Sequence, residues 1–382
     1  MLKGIKFSGV ASGLKGATAD LGLAFFEEPA LLVALYTRNQ VKAAHILYNR
    51  RRRAKTVRAL LVNSGCANAC TGQEGVDDLK RLAGPLAREL GIGPEEIVFA
   101  STGVIGKRLD VETMIKAFPQ LKQGLGGDNI GSFARAIMTT DTYPKIVEGQ
   151  LPGSSPCGIT GVAKGAGMIN PLFATMLSFL FSDCSLPAGS LRRLLPAMGR
   201  ETFERISVDG DTSTNDSVMV FVKGATGEPI DERVFKDEMT RLMRELALLI
   251  VRDGEGATKV IHIVVNGAKR EAVAERIARR IAASPLVKTA FFGCDPNWGR
   301  IICAVGDAGV AVDPSKVEIQ IQGQTLARNG AEVAFSEDEL KGLMDRKEVD
   351  LVVNLNQGDA SFDLFTADLT YDYVKINASY RT

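Results

Sequence analysis

Residues 161–183 form the stretch GVAKGAGMINPLFATMLSFLFSD, which begins rich in glycine and ends strongly apolar. Glycine lets the backbone pass close to other groups, so the first half is suited to a tight approach to a site. From Thr175 onward the apolar run TMLSFLF predicts a central strand. The stretch therefore places a threonine, preceded by the small residue Ala174, at the opening of a buried strand.

A threonine in this position is what an N-terminal-nucleophile enzyme requires. Its hydroxyl attacks the preceding carbonyl, and cleavage exposes its own α-amine, which can then serve as the general base. The ordinary pKa of such an amine, about 7.7–8.0, suits this work near neutral pH. On composition alone, a glycine-rich turn before an ordinary core strand is the favoured alternative.

Histidine, the usual general base, is scarce in this chain. Only His45 and His262 occur; His45 lies in a predicted helix, and His262 lies in the strand-like run VIHIVVNG, where a core or sheet-face role is favoured. We therefore expect a nucleophile in this protein to take its proton relay from a group other than imidazole.

Composition narrows the classes of partner. A chain of 382 residues with 45% hydrophobic content predicts two or three domains. Its net charge of +1 creates no electrostatic field that would favour nucleic acid or an anionic membrane as a partner. A small-molecule partner fits better. Without a signal-like N-terminus or a membrane-length apolar run, we expect a soluble, cytoplasmic protein. The six cysteines include no CxxC pair, so we expect reduced thiols, neither a disulfide nor a bound metal.

Strand-like and helical segments alternate through the first two thirds of the chain, which predicts an α/β layered fold. GLAFFEEPALLVALYT (22–37) predicts two strands around the turn signal Glu28-Pro29, and GVDDLKRLAGPLARELG predicts a helix that ends at Gly91. From about residue 266 the strands become shorter, which indicates a smaller α+β domain.

The string KGAGMINP...ATML resembles the processing signature of the ornithine acetyltransferases of arginine biosynthesis, which are self-processing N-terminal-threonine enzymes. Ala174-Thr175 is the matching bond; one departure is Leu172-Phe173, where many relatives carry a polar residue. Further segments resemble the family in the same order: NSGCANACTG (63–72), STGVIG (101–106), MTTDT (138–142), DGDTSTND (209–216), RDGEGATK (252–259), GCDPNWGRI (293–301) and the terminal INASYRT.

The resemblance implies an αββα layered core shared by two autocleaved chains, plus a smaller C-terminal α+β domain. Residues 1–174 would form the α chain, 175–265 the start of the β chain, and 266–382 a C-terminal domain that closes the site. It also implies an assembly of two α and two β chains.

The resemblance assigns roles to particular residues. Thr175 would be the nucleophile, and Thr102 with Gly103 would form the oxyanion hole. The residues that would bind substrate are Thr139 or Thr140, Lys164, Thr175, Glu255, Asn377 and Thr382. An amino-acid substrate needs a cation for its carboxylate and a carboxylate for its ammonium, which Lys164 and Glu255 supply.

The segment DGDTSTND is spaced like part of a calcium-binding loop, with acidic residues at Asp209, Asp211 and Asp216. It lacks the closing glutamate, so a turn near the site is the better interpretation.

The activity implied is transfer of an acetyl group from N2-acetylornithine to glutamate through acetyl-Thr175, without a resident cofactor. Whether acetyl-CoA is also a donor stays open at this point. Two alternatives remain: a self-processing aminopeptidase or amidase of the same fold, and a non-catalytic ligand-binding protein.

Overall fold

A computed structural model describes residues 2–54, 56–151, 157–170, 176–223 and 230–379. Its strands are β1 (Ile5–Val10), β2 (Leu21–Tyr36), β3 (Thr56–Cys66), β4 (Ile97–Val104), β5 (Lys145–Leu151), β6 (Cys157–Lys164), β7 (Leu177–Ser182), β8 (Ile206–Ser207), β9 (Ser217–Lys223), β10 (Val260–Ala268), β11 (Glu318–Ile321), β12 (Gln324–Arg328), β13 (Ala331–Glu332), β14 (Glu348–Asn354) and β15 (Ala360–Ala367). Its helices are α1 (Ala44–Arg51), α2 (Gly72–Leu90), α3 (Val111–Lys116), α4 (Phe118–Gln123), α5 (Ile130–Ala136), α6 (Ala188–Glu201), α7 (Glu232–Arg252), α8 (Glu271–Ala282), α9 (Pro285–Phe292), α10 (Trp298–Gly306), α11 (Glu337–Met344) and α12 (Tyr371–Ser379).

The first sheet has eight strands in the order β4-β3-β2-β9-β7-β6-β5, with β1 also paired to β2. The first half of β2 pairs with β1 and β3, whereas its second half pairs with β9 along Ala30–Tyr36. The register between β2 and β3 shifts between Phe25 and Ala30. β2 is thus shared by two halves of the sheet, which face each other.

Side-chain packing gives the order of the layers. The two sheet halves enclose an aromatic core in which Phe26 of β2 stacks on Phe221 of β9, and Phe7 of β1 meets Phe181 of β7 edge-on. Helices α2, α3 and α4 cover the outer face of the half formed by β1 to β4. Helices α6 and α7 cover the outer face of the half formed by β5, β6, β7 and β9. The core is therefore layered as helices, sheet, sheet and helices, as expected.

One long strand replaces the two that were predicted between residues 22 and 37. Pro29 has no N–H to donate to a ladder, so a turn was the expected outcome. In the structure Pro29 lies at the shift in register, where pairing with β3 is interrupted. The chain stays extended because different neighbours pair with the strand on either side of that point.

Helix ends follow local signals. Gly91 ends α2 in the left-handed conformation, with φ of 69°, and its N–H donates to the carbonyl of Ala87. The side chain of Asp231 caps α7 by accepting hydrogen bonds from the N–H groups of Arg233 and Val234.

The second sheet has the strand order β13-β12-β11-β14-β10-β15-β8 and is covered by α8, α9, α10 and α11. All of its strands except β8 come from residue 260 onward, and the predicted boundary between residues 265 and 266 falls inside β10. β8, far earlier in the chain, joins its edge by pairing with β15. Among the described residues, no helix combines the length and the apolar character that a membrane crossing requires.

Candidate active site

A cavity of about 970 Å³, including the part open to solvent, lies where several strands and loops of the first sheet end. Its wall includes every predicted site residue that the structure describes, namely Thr102, Gly103, Thr139, Thr140, Lys164, Glu255 and Asn377. Segments that are far apart in the chain therefore meet at one cavity.

Thr102 and Gly103 lie at the end of β4, beside the parallel strand β3. Gly103 has φ of 128°, and a Cβ atom at this position would lie 2.4 Å from the carbonyl carbon of Gly65. Only glycine fits such a conformation and such a close approach. The turn is consequently held tightly against β3, with both residues on the cavity wall.

Lys164, the last residue of β6, provides a cation at the cavity. Its Nζ donates to the hydroxyl of Thr139 at 2.7 Å and to that of Thr102 at 3.3 Å, and lies 3.9 Å from a carboxylate oxygen of Asp141. Burial lowers the pKa of Lys164, while the negative charge of Asp141 opposes that shift. Lys164 thus links the predicted oxyanion turn to the threonine segment.

Behind Lys164, Asp141 belongs to a buried charge network that sequence reasoning did not assign to the site. Its carboxylate accepts from Lys145 Nζ at 2.7 Å and from the N–H of Gly165 at 2.6 Å, and Lys145 Nζ also donates to Asp253 at 2.5 Å. Burial alone would raise the pKa of Asp141, but the cations of Lys164 and Lys145 outweigh it and hold that pKa below its usual range. Asp141 could have been found from the sequence, because it belongs to the segment MTTDT that resembles the family.

Glu255 stands on another part of the wall, held by helix α12. Its Oε2 accepts from Asn377 Nδ2 at 2.9 Å, and its N–H donates to the carbonyl of Ala166. A Cβ atom on Gly167 would lie 2.4 to 2.6 Å from the Glu255 carboxylate. The absence of a side chain at Gly167 therefore leaves room for that carboxylate. As expected for a site that includes Asn377, the C-terminal part of the chain folds back over it.

Tyr373, one turn before Asn377 on α12, also lines the cavity, although sequence reasoning did not single it out. Burial raises its pKa to about 12, and the carboxylates of Asp209 and Glu255 act in the same direction. The phenol therefore stays protonated at neutral pH and is available as a hydrogen-bond donor.

The segment 209–216 is the turn predicted near the site, and it ties the other parts together. The carboxylate of Asp209 accepts from the N–H groups of Met168 and Ile169. Asn215 Nδ2 donates at 2.7 Å to the carbonyls of Ala67 and Ser101. One loop thereby fixes both the strand that carries Thr102 and the glycine-rich segment after Lys164.

Asp216, at the end of this loop, is buried and lines the cavity. Its Oδ2 has no hydrogen-bond partner among the described residues, and burial raises its pKa well above the usual value, a shift opposed by Ser213 and Lys164.

Neither histidine lies on the cavity wall formed by the described residues. His45 is buried in α1, where its Nε2 lies 3.2 Å from the hydroxyl of Ser217, and burial lowers its pKa to about 3. His262 lies on β10, between Asp350 and Asp363, and stacks on Phe365. His45 thus lies in a helix and His262 in a strand, as the sequence predicted.

Three predicted residues, Ala174, Thr175 and Thr382, lie outside the described residues. Met176 and Leu177, which follow Thr175 in the chain, both line the cavity. The described wall carries the buried cation of Lys164, the carboxylate of Glu255 held by an amide, further carboxylates of the segment 209–216, and several hydroxyls. This set of groups suits a small zwitterionic ligand.

A sequence model of one family matches residues 6–382, and its description is the ArgJ family. The chain belongs to this family. It is 42% identical to the arginine biosynthesis bifunctional protein ArgJ of Geobacter sulfurreducens, with all of both chains covered.

Two solved structures resemble parts of the chain. The first is arginine biosynthesis bifunctional protein argJ from Bacillus halodurans, with 40% identity, a TM-score of 0.49, and coverage of 53% of this chain and 98% of the other. The second is ornithine acetyltransferase complexed with ornithine from Mycobacterium tuberculosis, with 35% identity, a TM-score of 0.40, and coverage of 45% and 94%.

Proposed function

We propose that this protein is a self-processing glutamate N-acetyltransferase of arginine biosynthesis. It breaks its own chain between Ala174 and Thr175, and Thr175 then carries the acetyl group from N2-acetylornithine to glutamate. The observation that carries the proposal is the meeting, in one cavity beside Met176, of the predicted oxyanion turn with Lys164 and the Glu255–Asn377 pair. Membership of the ArgJ family supports the assignment to arginine biosynthesis.

In the proposed first step, the hydroxyl of Thr175 attacks the acetyl carbonyl of N2-acetylornithine. Its proton passes to the free α-amine of Thr175 and from there to the departing amine of ornithine. The Thr102 hydroxyl and the Gly103 N–H are the proposed donors to the oxyanion. Because Lys164 donates to the Thr102 hydroxyl, the hydrogen of that hydroxyl is available for an acceptor in the cavity.

In the second step, the amine of glutamate attacks the acetyl ester and restores Thr175. Lys164 is proposed to bind a substrate carboxylate, and Glu255 a substrate ammonium group, with Thr139 or Thr140 and the C-terminal Asn377 and Thr382 completing the pocket. Thr139 is the better of the two threonines, since its hydroxyl already contacts Lys164. This chemistry needs no resident cofactor.

We extend the proposal to a second donor. The relatives that this chain matches along its whole length are named bifunctional proteins. Acetylation of glutamate by acetyl-CoA is the second activity that we propose, because it passes through the same acetyl-Thr175. We also propose a cytoplasmic enzyme in which two α and two β chains associate.

Intact-mass measurement of the purified protein tests the processing step. Wild type should give two fragments, 1–174 and 175–382, and Thr175→Ala should remain one inactive chain because it lacks both the attacking hydroxyl and the catalytic nucleophile. A single full-length species in an active wild-type preparation would overturn the assignment, and a single full-length species without activity would favour the non-catalytic alternative.

The acyl intermediate has its own test. Processed enzyme incubated with N2-acetylornithine or with acetyl-CoA alone should gain one acetyl mass on the 175–382 fragment, and glutamate should remove it. Steady-state kinetics with varied glutamate should be ping-pong. If water removed the group as fast as glutamate did, the aminopeptidase or amidase alternative would replace the proposal.

A further inference from the structure

Cys157 is the first residue of β6, and Cys184 lies two residues after the end of β7, the antiparallel neighbour of β6. The ladder ends at the pair Ile159 and Ser182, and one residue further the N–H of Asp183 still donates to the carbonyl of Gly158. The same register extended by one more residue would place Cys157 opposite Cys184. Both side chains pack on the α6–α7 side of the sheet. These two cysteines are far apart in the sequence, so their juxtaposition is a product of the fold.

The two sulfur atoms and a carboxylate oxygen of Asp183 lie within 4.8 Å of one another. Residues directly opposite on antiparallel strands have Cα atoms about 4.5–5.5 Å apart, inside the range of about 4.4–6.8 Å that a disulfide spans. The spacing expected for such a pair is therefore compatible with a disulfide, and the two sulfurs are already close to each other.

A metal ion is the competing occupant of this cluster, and the hydrogen bonds of Asp183 argue against it. Oδ1 accepts from the N–H of Gly158 at 2.7 Å, and Oδ2 accepts from the N–H of Lys3 at 2.9 Å. Both carboxylate oxygens of Asp183 therefore already accept hydrogen bonds from backbone N–H groups. Two thiols are then left as donors, whereas zinc takes four ligands, at least three of them normally from the protein.

The two thiols differ in access. Cys157 lines a surface cavity together with Lys3 and Asp183, whereas Cys184 is completely buried. Burial raises the pKa of the Cys184 thiol. Cys157 is therefore the one that meets a reagent from solution, and Cys184 the one that completes the bond from inside.

We propose that Cys157 and Cys184 form a cross-strand disulfide that links the segments on either side of the Ala174-Thr175 bond. The Cys157 thiolate attacks one sulfur of a low-molecular-weight disulfide such as oxidised glutathione and releases one thiol. Cys184 then attacks the Cys157 sulfur of the mixed disulfide and releases the second thiol, and the two S–H protons pass to the released thiolates. The protein loses two electrons, and the reagent gains them.

The consequence rests on the proposed autocleavage. After that cleavage Cys157 belongs to the 1–174 fragment and Cys184 to the 175–382 fragment, so the bond keeps the two processed chains in one covalent molecule. Denaturation of the oxidised enzyme then leaves both fragments tethered, and renaturation does not require them to find each other in solution.

The test treats purified enzyme with oxidised glutathione, blocks remaining thiols in denaturant, and compares denaturing gels with and without reductant. Wild type should run as one species of whole-chain size without reductant and as two fragments with it. Cys157→Ser should give two fragments under both conditions. Cys303→Ser, which changes an exposed cysteine elsewhere, should behave as wild type.

Tryptic mapping separates failure of this proposal from failure of autocleavage. Trypsin cuts after Lys164, so the disulfide appears as peptide 146–164 joined to 175–192 in processed protein, or to 165–192 in unprocessed protein. Blocked thiols at both Cys157 and Cys184 after oxidation would overturn the disulfide, whatever the state of the Ala174-Thr175 bond. A metal site would replace the disulfide if a chelator made the two thiols reactive again and the protein had not lost the mass of two hydrogens on oxidation.

Discussion

At the scale of single residues, Thr102 is the sharpest test of the site. Its hydroxyl accepts a hydrogen bond from Lys164 Nζ, which leaves its own hydrogen for a developing oxyanion. Thr102→Ala should lower kcat by about 10²–10³, the usual effect of removing one such donor, with little change in KM.

Thr102→Ser is the matched control, because it keeps the hydroxyl and should retain most of the turnover. Equal kcat for wild type and Thr102→Ala would mean that backbone N–H groups alone stabilise the oxyanion.

Gly167 tests the position of the Glu255 carboxylate without changing that residue. A Cβ atom here would lie 2.4 Å from Glu255 Oε2, so Gly167→Ala should push the carboxylate away from Asn377 and from the proposed ammonium site. Loss of one hydrogen bond to a charged group is worth about 1.5–3 kcal/mol, which predicts a rise in KM for N2-acetylornithine of roughly tenfold to a hundredfold.

Gly189→Ala in α6 serves as the control, since nothing lies within 4 Å of a Cβ atom there. A normal KM in Gly167→Ala, with the enzyme folded, would place the ammonium group elsewhere.

At the scale of elements, Lys145 joins the start of β5 to the end of α7. Its Nζ is fully buried between Asp141 and Asp253, and Asp253 also accepts from the N–H of Thr142. Removing one partner of a buried ion network leaves uncompensated charge, so Lys145→Met should lower the free energy of unfolding by about 3–5 kcal/mol in urea titrations. Lys80→Met, which breaks the exposed pair with Asp77, should leave the urea midpoint almost unchanged.

The same network predicts how a fall in pH changes the free energy of unfolding. The folded pKa of Asp141 is lowered, so its contribution is complete above the unfolded carboxyl pKa of about 3.9 and is lost as the pH falls through the lowered folded value. The stability difference between wild type and Lys145→Met should therefore shrink in acid; a constant difference down to strong acid would show that Lys145 acts through packing alone.

At the scale of the whole molecule, the proposed fragments 1–174 and 175–382 are interleaved. β7 and β9 lie between β2 and β6 in the first sheet, and the aromatic core takes side chains from both sides of the cleavage point. We therefore expect both fragments to co-elute in buffer containing reductant and to separate only in denaturant.

Light scattering of the same peak measures the proposed assembly. Two α and two β chains correspond to about twice the 40.9 kDa of the whole chain. A mass near 40.9 kDa for the active enzyme would contradict the tetramer while leaving the interleaving intact.

Much of the local structure follows from the sequence by itself. The helix that ends at Gly91 and the strand after Thr175 were predicted because periodicity and end signals are local properties of the chain. The candidate site residues Thr102, Lys164 and Glu255 came from motifs, each a short string that can be recognised without knowledge of the fold.

Only the tertiary structure decided how these pieces meet. The single strand β2 depends on neighbours that arrive from distant segments, so its local turn signal at Pro29 did not decide the outcome. Asp141 and Asn215 join the site through partners in other segments, and Cys157 meets Cys184 through the register of two strands. Such contacts bring distant parts of the chain together, and local periodicity carries no information about which parts those are.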